Sequence, residues 1–222
     1  MKICLIRTGE IKSRQRIRID AFCEFRGASV YTLTVDGNLR ERRFGKALGK
    51  GISELRKYGV TLFGAPSDLG IACAVSEREL LLDLRARFAE AFSDATGENC
   101  DFLFVGGSMR RRIAAAVSLL RKRRTVYLSC ADFEETAEEI SLLTGATVGE
   151  TPPGKFIEVD LSGGDAILRF GEKEITLSDF CFGFPWEKAS ELSVKENLTL
   201  VAMLEICGIL RKKEIKVECF AK

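Results

Sequence analysis

The stretch Asp101-Phe102-Leu103-Phe104-Val105-Gly106-Gly107-Ser108-Met109-Arg110-Arg111-Arg112 joins an apolar β-type run to a helical pattern through a Gly-Gly-Ser turn. Three consecutive arginines open that helix, where the partial positive charge of a helix N-terminus disfavours cations. The placement makes sense if an anion sits on the loop: glycines admit close approach of backbone N–H groups, and arginines neutralise the charge. The competing reading is a tight strand-to-helix turn with solvated arginines.

Working outward, strand patterns are expected over residues 2–7, 29–35, 60–63, 102–105, 125–130 and 146–148. Residues 12–26 mix both periods through Ile17, Ile19 and Phe22, so helix and strand both stay open there. Helices are expected over 39–57, despite Gly45, Gly49 and Gly51, and from the capping box Ser76–Glu79 to about Ala95. A further helix is expected over 108–123, with Met109, Ile113, Val117 and Leu120 on its apolar face. Asp132 with Glu135 opens another, which runs to Leu143 and stops at Gly145. This alternation predicts an α/β fold: a Rossmann-like, mostly parallel sheet with helices on both faces over residues 1–150. Ligands of such folds bind beyond the carboxyl ends of the strands, an edge expected to hold both Thr8-Gly9-Glu10 and Gly106-Gly107-Ser108.

Thr151-Pro152-Pro153-Gly154 reads as a boundary, followed by a small C-terminal α+β unit over residues 155–222. Its pattern is a meander (155–161, 165–171 and 173–178), a helix within 187–212 broken near Ser193 or Asn197, and a strand over 215–220. Phe180, Phe182, Phe184 and Trp186 recur at period two, which suits core filling and would also suit base stacking or a dimer surface.

The net charge of +2 hides an uneven distribution: residues 1–124 hold 24 Lys/Arg against 14 Asp/Glu, and residues 125–222 hold 10 against 18. The basic half suits a polyanionic ligand, and would equally suit packing against the acidic half. The absence of histidine removes Ser-His and Cys-His triads and the usual zinc and copper sites. Eight cysteines without a CxxC pair read as free thiols of a reducing cytoplasm. No apolar run approaches the length of a membrane span, so a cytoplasmic protein without a membrane partner is expected. Asp36, Asp68 and Asp132 follow strands and could hold Mg²⁺, yet each has an ordinary use as a turn or cap residue; no metal and no cofactor are expected. A G-x-G-x-x-G fingerprint is missing after the first strand, and Gly45–Gly51 lacks P-loop spacing.

The run FLFVGG-SMR-RRIAAAVSLLRKRR-TVYLSC, with the helical pattern 77–95 before it, resembles the CRISPR-associated Rossmann fold family over residues 30–130. The resemblance implies a homodimeric sensor of cyclic oligoadenylate, a nucleotide-binding protein of antiviral defence. By the same resemblance Gly106, Gly107, Ser108, Met109, Arg110 and Arg111 would hold phosphates and riboses, and Thr8, Gly9 and Glu10 would line the same pocket. If the ring were also cut, cleavage would need no metal. Ser108 would position the ribose hydroxyl and Arg110 would stabilise the phosphate charge. Ser108 stands where the family commonly has Thr, and Met109 takes the usual Lys position.

Three other readings use the same residues. A metal-dependent enzyme on a phosphorylated metabolite or nucleotide would take Glu10 or Asp132 as base. A DNA-binding regulator would place the basic half or the tail on phosphates, although the apolar 197–210 segment reads as core. A structural or interaction module would need only the thiols and the apolar tail.

Overall fold

The computed structural model describes residues 1–12, 14–67, 70–75, 78–97, 99–119, 125–211 and 214–219. The chain forms two compact units, the first of residues 1–67, 71–80 and 184–214, the second of 68–70, 81–183 and 215–222. Both are α/β, as the alternation of strand and helix predicts. The Pro-Pro turn at 151–154 lies inside the second unit, and residues 184–214 fold with the first.

In the first unit, β1 (Lys2–Gly9) lies between two parallel neighbours, β3 (Ala28–Asp36) and β4 (Leu62–Ser67). The ambiguous segment resolves as a strand, β2 (Ile17–Phe25), antiparallel to β3, with a register shift between Ala21 and Cys23. Two further strands, β5 (Gly70–Val75) and β6 (Arg78–Asp83), complete the order β2-β3-β1-β4-β5-β6. Ile3, Cys4 and Leu5 are all fully buried, so both faces of β1 are covered. Helix α1 (Glu41–Lys57) packs Ala47, Gly51 and Leu55 inward against Leu33 and Val35. A Cβ on Gly51 would come within 2.6 Å of Leu33, so this helical glycine serves close approach to the sheet. The last helix, α5 (Val194–Ile206), begins at the capping box Ser193/Glu196 and packs against β1 and β4. It is buried almost all round, as the apolar tail reading expects of a core helix.

The first helix of the second unit is α2 (Leu84–Thr96), which follows the end of β6, and here the capping-box reading of Ser76–Glu79 is corrected. Arg78–Asp83 is strand, so Glu79 is no helical residue; Ser76 itself lies outside the described residues. The Asp83 carboxylate caps α2 instead, accepting from the Arg85 N–H at 2.7 Å. Strand β7 (Asp101–Val105) leads through the Gly-Gly turn to α3 (Met109–Leu119), β8 (Thr125–Ser129), α4 (Phe133–Thr144) and β9 (Thr147–Gly149). Residues 120–124, including the expected end of the α3 helix, lie outside the described residues. The buried residues of α3 are Arg112, Ala114, Ala115, Ala116, Ser118 and Leu119, whereas Met109, Ile113 and Val117 are only half-buried. Small alanines let the helix approach its neighbours, which overrides the choice of the bulkiest residues as its inner face.

The chain then returns to the other side of β7. There β10 (Phe156–Asp160) pairs parallel to it, and β11 (Ile167–Phe170) and β12 (Lys173–Thr176) extend the sheet antiparallel. The expected meander is therefore a continuation of the β7 sheet, in the order β12-β11-β10-β7-β8-β9. A small hairpin-like pair, β13 (Phe180–Gly183) with β14 (Lys216–Cys219), finishes the unit. The period-two aromatics are mostly core filling. Phe180 is buried edge-on against Phe88 and Phe92 in the second unit. In the first unit Trp186 is buried with its indole N–H donating to Asn197 at 2.7 Å. Among the described residues no helix is long and apolar enough to cross a membrane.

Candidate functional site

From β7 the chain proceeds to β8 on one side, while β10 flanks the other. Adjacent parallel strands whose connections diverge make a topological switch point, where open α/β sheets leave a crevice. Val105 and Asp160 are paired in register, so the Gly106–Ser108 turn and the Leu161–Gly164 turn leave the sheet side by side.

Gly106 and Gly107 have φ of 64° and 68°, a left-handed pair that L side chains rarely adopt. Their lack of side chains is used internally. A Cβ on Gly106 would lie 1.9 Å from Ser162 Oγ, and one on Gly107 would lie 2.7 Å from Leu161 Cβ. The Leu161 N–H donates to Val105 O at 2.9 Å, holding the two turns together.

Arg112 explains the conformation further. It is 3% exposed, and its Nη1 donates to Gly106 O at 3.2 Å and Gly107 O at 2.6 Å. Its Nη2 donates to both carboxylate oxygens of Asp132. In a trans peptide the C=O and the following N–H point in opposite directions. Two successive carbonyls drawn onto one guanidinium therefore turn the N–H groups of Gly107 and Ser108 away from it. These amides adjoin the first-turn N–H groups of α3, which have no acceptor within the helix. Ser108 is exposed here, and its carbonyl accepts the first helical bonds from Arg111 and Arg112. The Gly107 and Ser108 amides and the first-turn N–H groups of α3 are thus neighbouring donors of the kind an anion accepts from.

The second turn is held the same way. Arg85, fully buried on the apolar side of α2, donates to Asp160 O at 2.7 Å and Gly163 O at 2.5 Å. Arg111 donates to Leu161 O at 3.1 Å and Gly163 O at 3.4 Å. Asp160 receives the Ser162 N–H at 2.8 Å. Desolvation works to raise its pKa, but the bonds from Ser162 and the charges of Arg169 and Arg85 outweigh this and hold it below the ordinary carboxylate value. Asp132 is likewise lowered: against desolvation, its own backbone N–H and Arg112 keep it ionised, which leaves it a poor general base. Asp83 goes the other way. Burial raises it from 3.8 to about 6, with Arg85 opposing the shift, while its backbone N–H donates to Ser118 Oγ at 2.7 Å.

The structure thus brings together Gly106, Gly107, Ser108, Met109, Arg110, Arg111 and Arg112, with Arg110 and Ser108 exposed. It assigns different tasks to the three arginines, since Arg111 and Arg112 hold loop carbonyls. Thr8, Gly9 and Glu10 do not share this sheet edge: they end β1, in the other sheet and the other unit, beside the Asp36-Gly37 turn. The single sheet expected over residues 1–150 is in fact two. Of the carboxylates considered for a metal, Asp36 accepts from the Asn38 N–H at 3.1 Å as a turn residue, Asp132 is paired, and Asp68 lies outside the described residues. Among the described residues no three His, Cys, Asp or Glu side chains converge to hold a metal ion.

Sequence reading missed Arg85, Asp83 and the Leu161–Gly164 turn. The signal for Arg85 was present. Arg85, Phe88, Ala89 and Phe92 fall at i, i+3, i+4 and i+7, a cation on an apolar stripe. Asp160-Leu-Ser-Gly-Gly164 reads locally as an ordinary hairpin turn, and only the pairing of β10 with β7 shows what it adjoins.

Two outcomes follow. Replacing Arg112 with Met strands the carbonyls of Gly106 and Gly107 and should destabilise the protein by about 2–4 kcal/mol in urea unfolding. Arg112→Lys should recover little of this, because an ammonium cannot span both carbonyls and Asp132. For Asp83, a raised folded pKa means that the native state keeps a proton which the unfolded chain has lost. Its contribution to stability is therefore present below the unfolded value and lost as pH rises from about 4 to about 6. Asp83→Asn should flatten that segment of the stability–pH curve; an unchanged slope would show that Asp83 titrates normally. No family model, no curated protein and no solved structure matches this chain.

Proposed function

We propose that the switch-point edge of the second unit binds a phosphate-bearing nucleotide, of which cyclic oligoadenylate is the form that the resemblance of residues 30–130 suggests. The observation carrying this reading is the grip of Arg112 on two successive carbonyls next to the α3 N-terminus, which by peptide planarity turns the Gly107 and Ser108 amides away from that cation. A phosphate there would accept from these amides and from the first turn of α3, and the exposed Arg110 would supply the counter-charge. Arg111 takes a supporting part, fixing the facing Leu161–Gly163 turn. A two-fold symmetric ring would call for two copies of the chain, so the homodimer belongs to the proposal.

The reading is of binding first. Ser108 and Arg110 are the groups a cleaving site would use, through alignment of a ribose hydroxyl with its phosphate and charge stabilisation. Met109 offers no cation to assist. The proposal rests on the second unit alone and asks nothing of Thr8, Gly9 or Glu10. Its test is calorimetric titration with cyclic tri-, tetra- and hexa-adenylate, with linear oligoadenylate and inorganic phosphate alongside. Binding of one ring is expected, weakened by Arg110→Ala by roughly 10- to 100-fold, the range for a lost charged hydrogen bond. Absence of binding to any of these would overturn the proposal.

A further inference from the structure

The first unit carries a second cationic feature, independent of the switch-point edge. Helix α1 places Arg42, Lys46 and Lys50 at successive i, i+4 positions, a stripe about 12 Å long at 1.5 Å per residue. All three are exposed. Like charges at this spacing destabilise a helix, and within the helix only Glu54, at i+4 from Lys50, offsets the stripe. Lys46 and Lys50 form one wall of a groove of about 670 Å³. Arg14 and Arg16, in the segment leading into β2, line the same groove, and Glu54 is its one acidic lining residue among those described. Among the described residues Arg14, Arg16, Lys46 and Lys50 make no ion pair and no side-chain hydrogen bond. Arg18 also lines the groove, but its guanidinium is paired with Asp20 at 2.8 Å.

We infer that this groove binds the phosphodiester backbone of a nucleic acid. Four cations lining one groove, with no ion-pair partner among the described residues, suit a chain of phosphates better than a single one. An anionic membrane is a poorer fit. A helix lying in an interface needs an exposed apolar face, but Ala47 and Leu55 are buried, and Phe44, Leu48 and Ile52 pack against the same core. An acidic protein partner would be expected to find aromatic anchors, and the residues lining the groove include none. With no stacking platform, the groove reads backbone charge and not base identity.

Fluorescence anisotropy with labelled single-stranded RNA, single-stranded DNA and duplex DNA tests this at a series of salt concentrations. Binding to at least one is expected, with log K falling against log salt by a slope of about −3 for four neutralised phosphates. Lys46→Glu/Lys50→Glu and Arg14→Glu/Arg16→Glu should each weaken it at least tenfold, and the milder Lys46→Ala/Lys50→Ala should weaken it with the fold intact by circular dichroism. Arg110→Ala, in the other unit, should leave it unchanged. No binding at low salt, binding that survives the groove substitutions, or capture only by phosphatidylserine vesicles would each overturn the inference. Cyclic oligoadenylate binding is read separately and would be untouched by that failure.

Discussion

Arg112 is a buried cation whose fork is shared between two carbonyls and a carboxylate, and the geometry of the switch-point edge depends on it. A buried guanidinium is costly to desolvate and depends on the acceptors its N–H groups meet. Gly106 O, Gly107 O and Asp132 engage both terminal nitrogens at once, while Nε is buried without an acceptor among the described residues. The same bonds tie the end of β7 to the start of α4 and fix the direction of two peptide planes. Because a peptide is rigid, choosing where its carbonyl points also chooses where its N–H points. The cation thus acts on the turn from the side opposite the Gly107 and Ser108 amides.

This gives a different meaning to the arginines that open α3. As a sequence, three cations at a helix N-terminus leave two readings open, an external anion or a tight turn with solvated arginines. In the fold, Arg111 and Arg112 meet internal acceptors: carbonyl oxygens of the turns that follow β7 and β10, and the Asp132 carboxylate. The glycines are similarly dual. Their positive φ and lack of Cβ are already required by Ser162 and Leu161. What still points to a ligand is the direction of the amides and the exposed Ser108 and Arg110.

The α/β class, most strands and the positions of α1, α4 and β7 were legible because periodicity and glycine stops report local structure. The capping box at Ser76–Glu79 misled because a local motif was outweighed by strand pairing of Arg78–Asp83, with Asp83 as the actual cap. The inner face of α3 was misjudged because close packing selected alanines over larger side chains. Non-local facts were the least legible: the split into two sheets, the separation of Thr8–Glu10 from Gly106–Ser108, and the return of residues 184–214 to the first unit. No local pattern encodes which strand lies beside which. Arg85 was missed although its signal is local: a cation at 85 shares an apolar helical stripe with Phe88, Ala89 and Phe92.

The direction of the amides is most directly measured by nuclear magnetic resonance, following backbone N–H resonances while cyclic oligoadenylate is added to the labelled protein. The account predicts that Gly107, Ser108 and Met109 move downfield together, as amides do when they donate to a phosphate, and that Arg112→Met abolishes the response. Shifts confined to other parts of the chain, or a response at Gly107 and Ser108 that persists without Arg112, would contradict it.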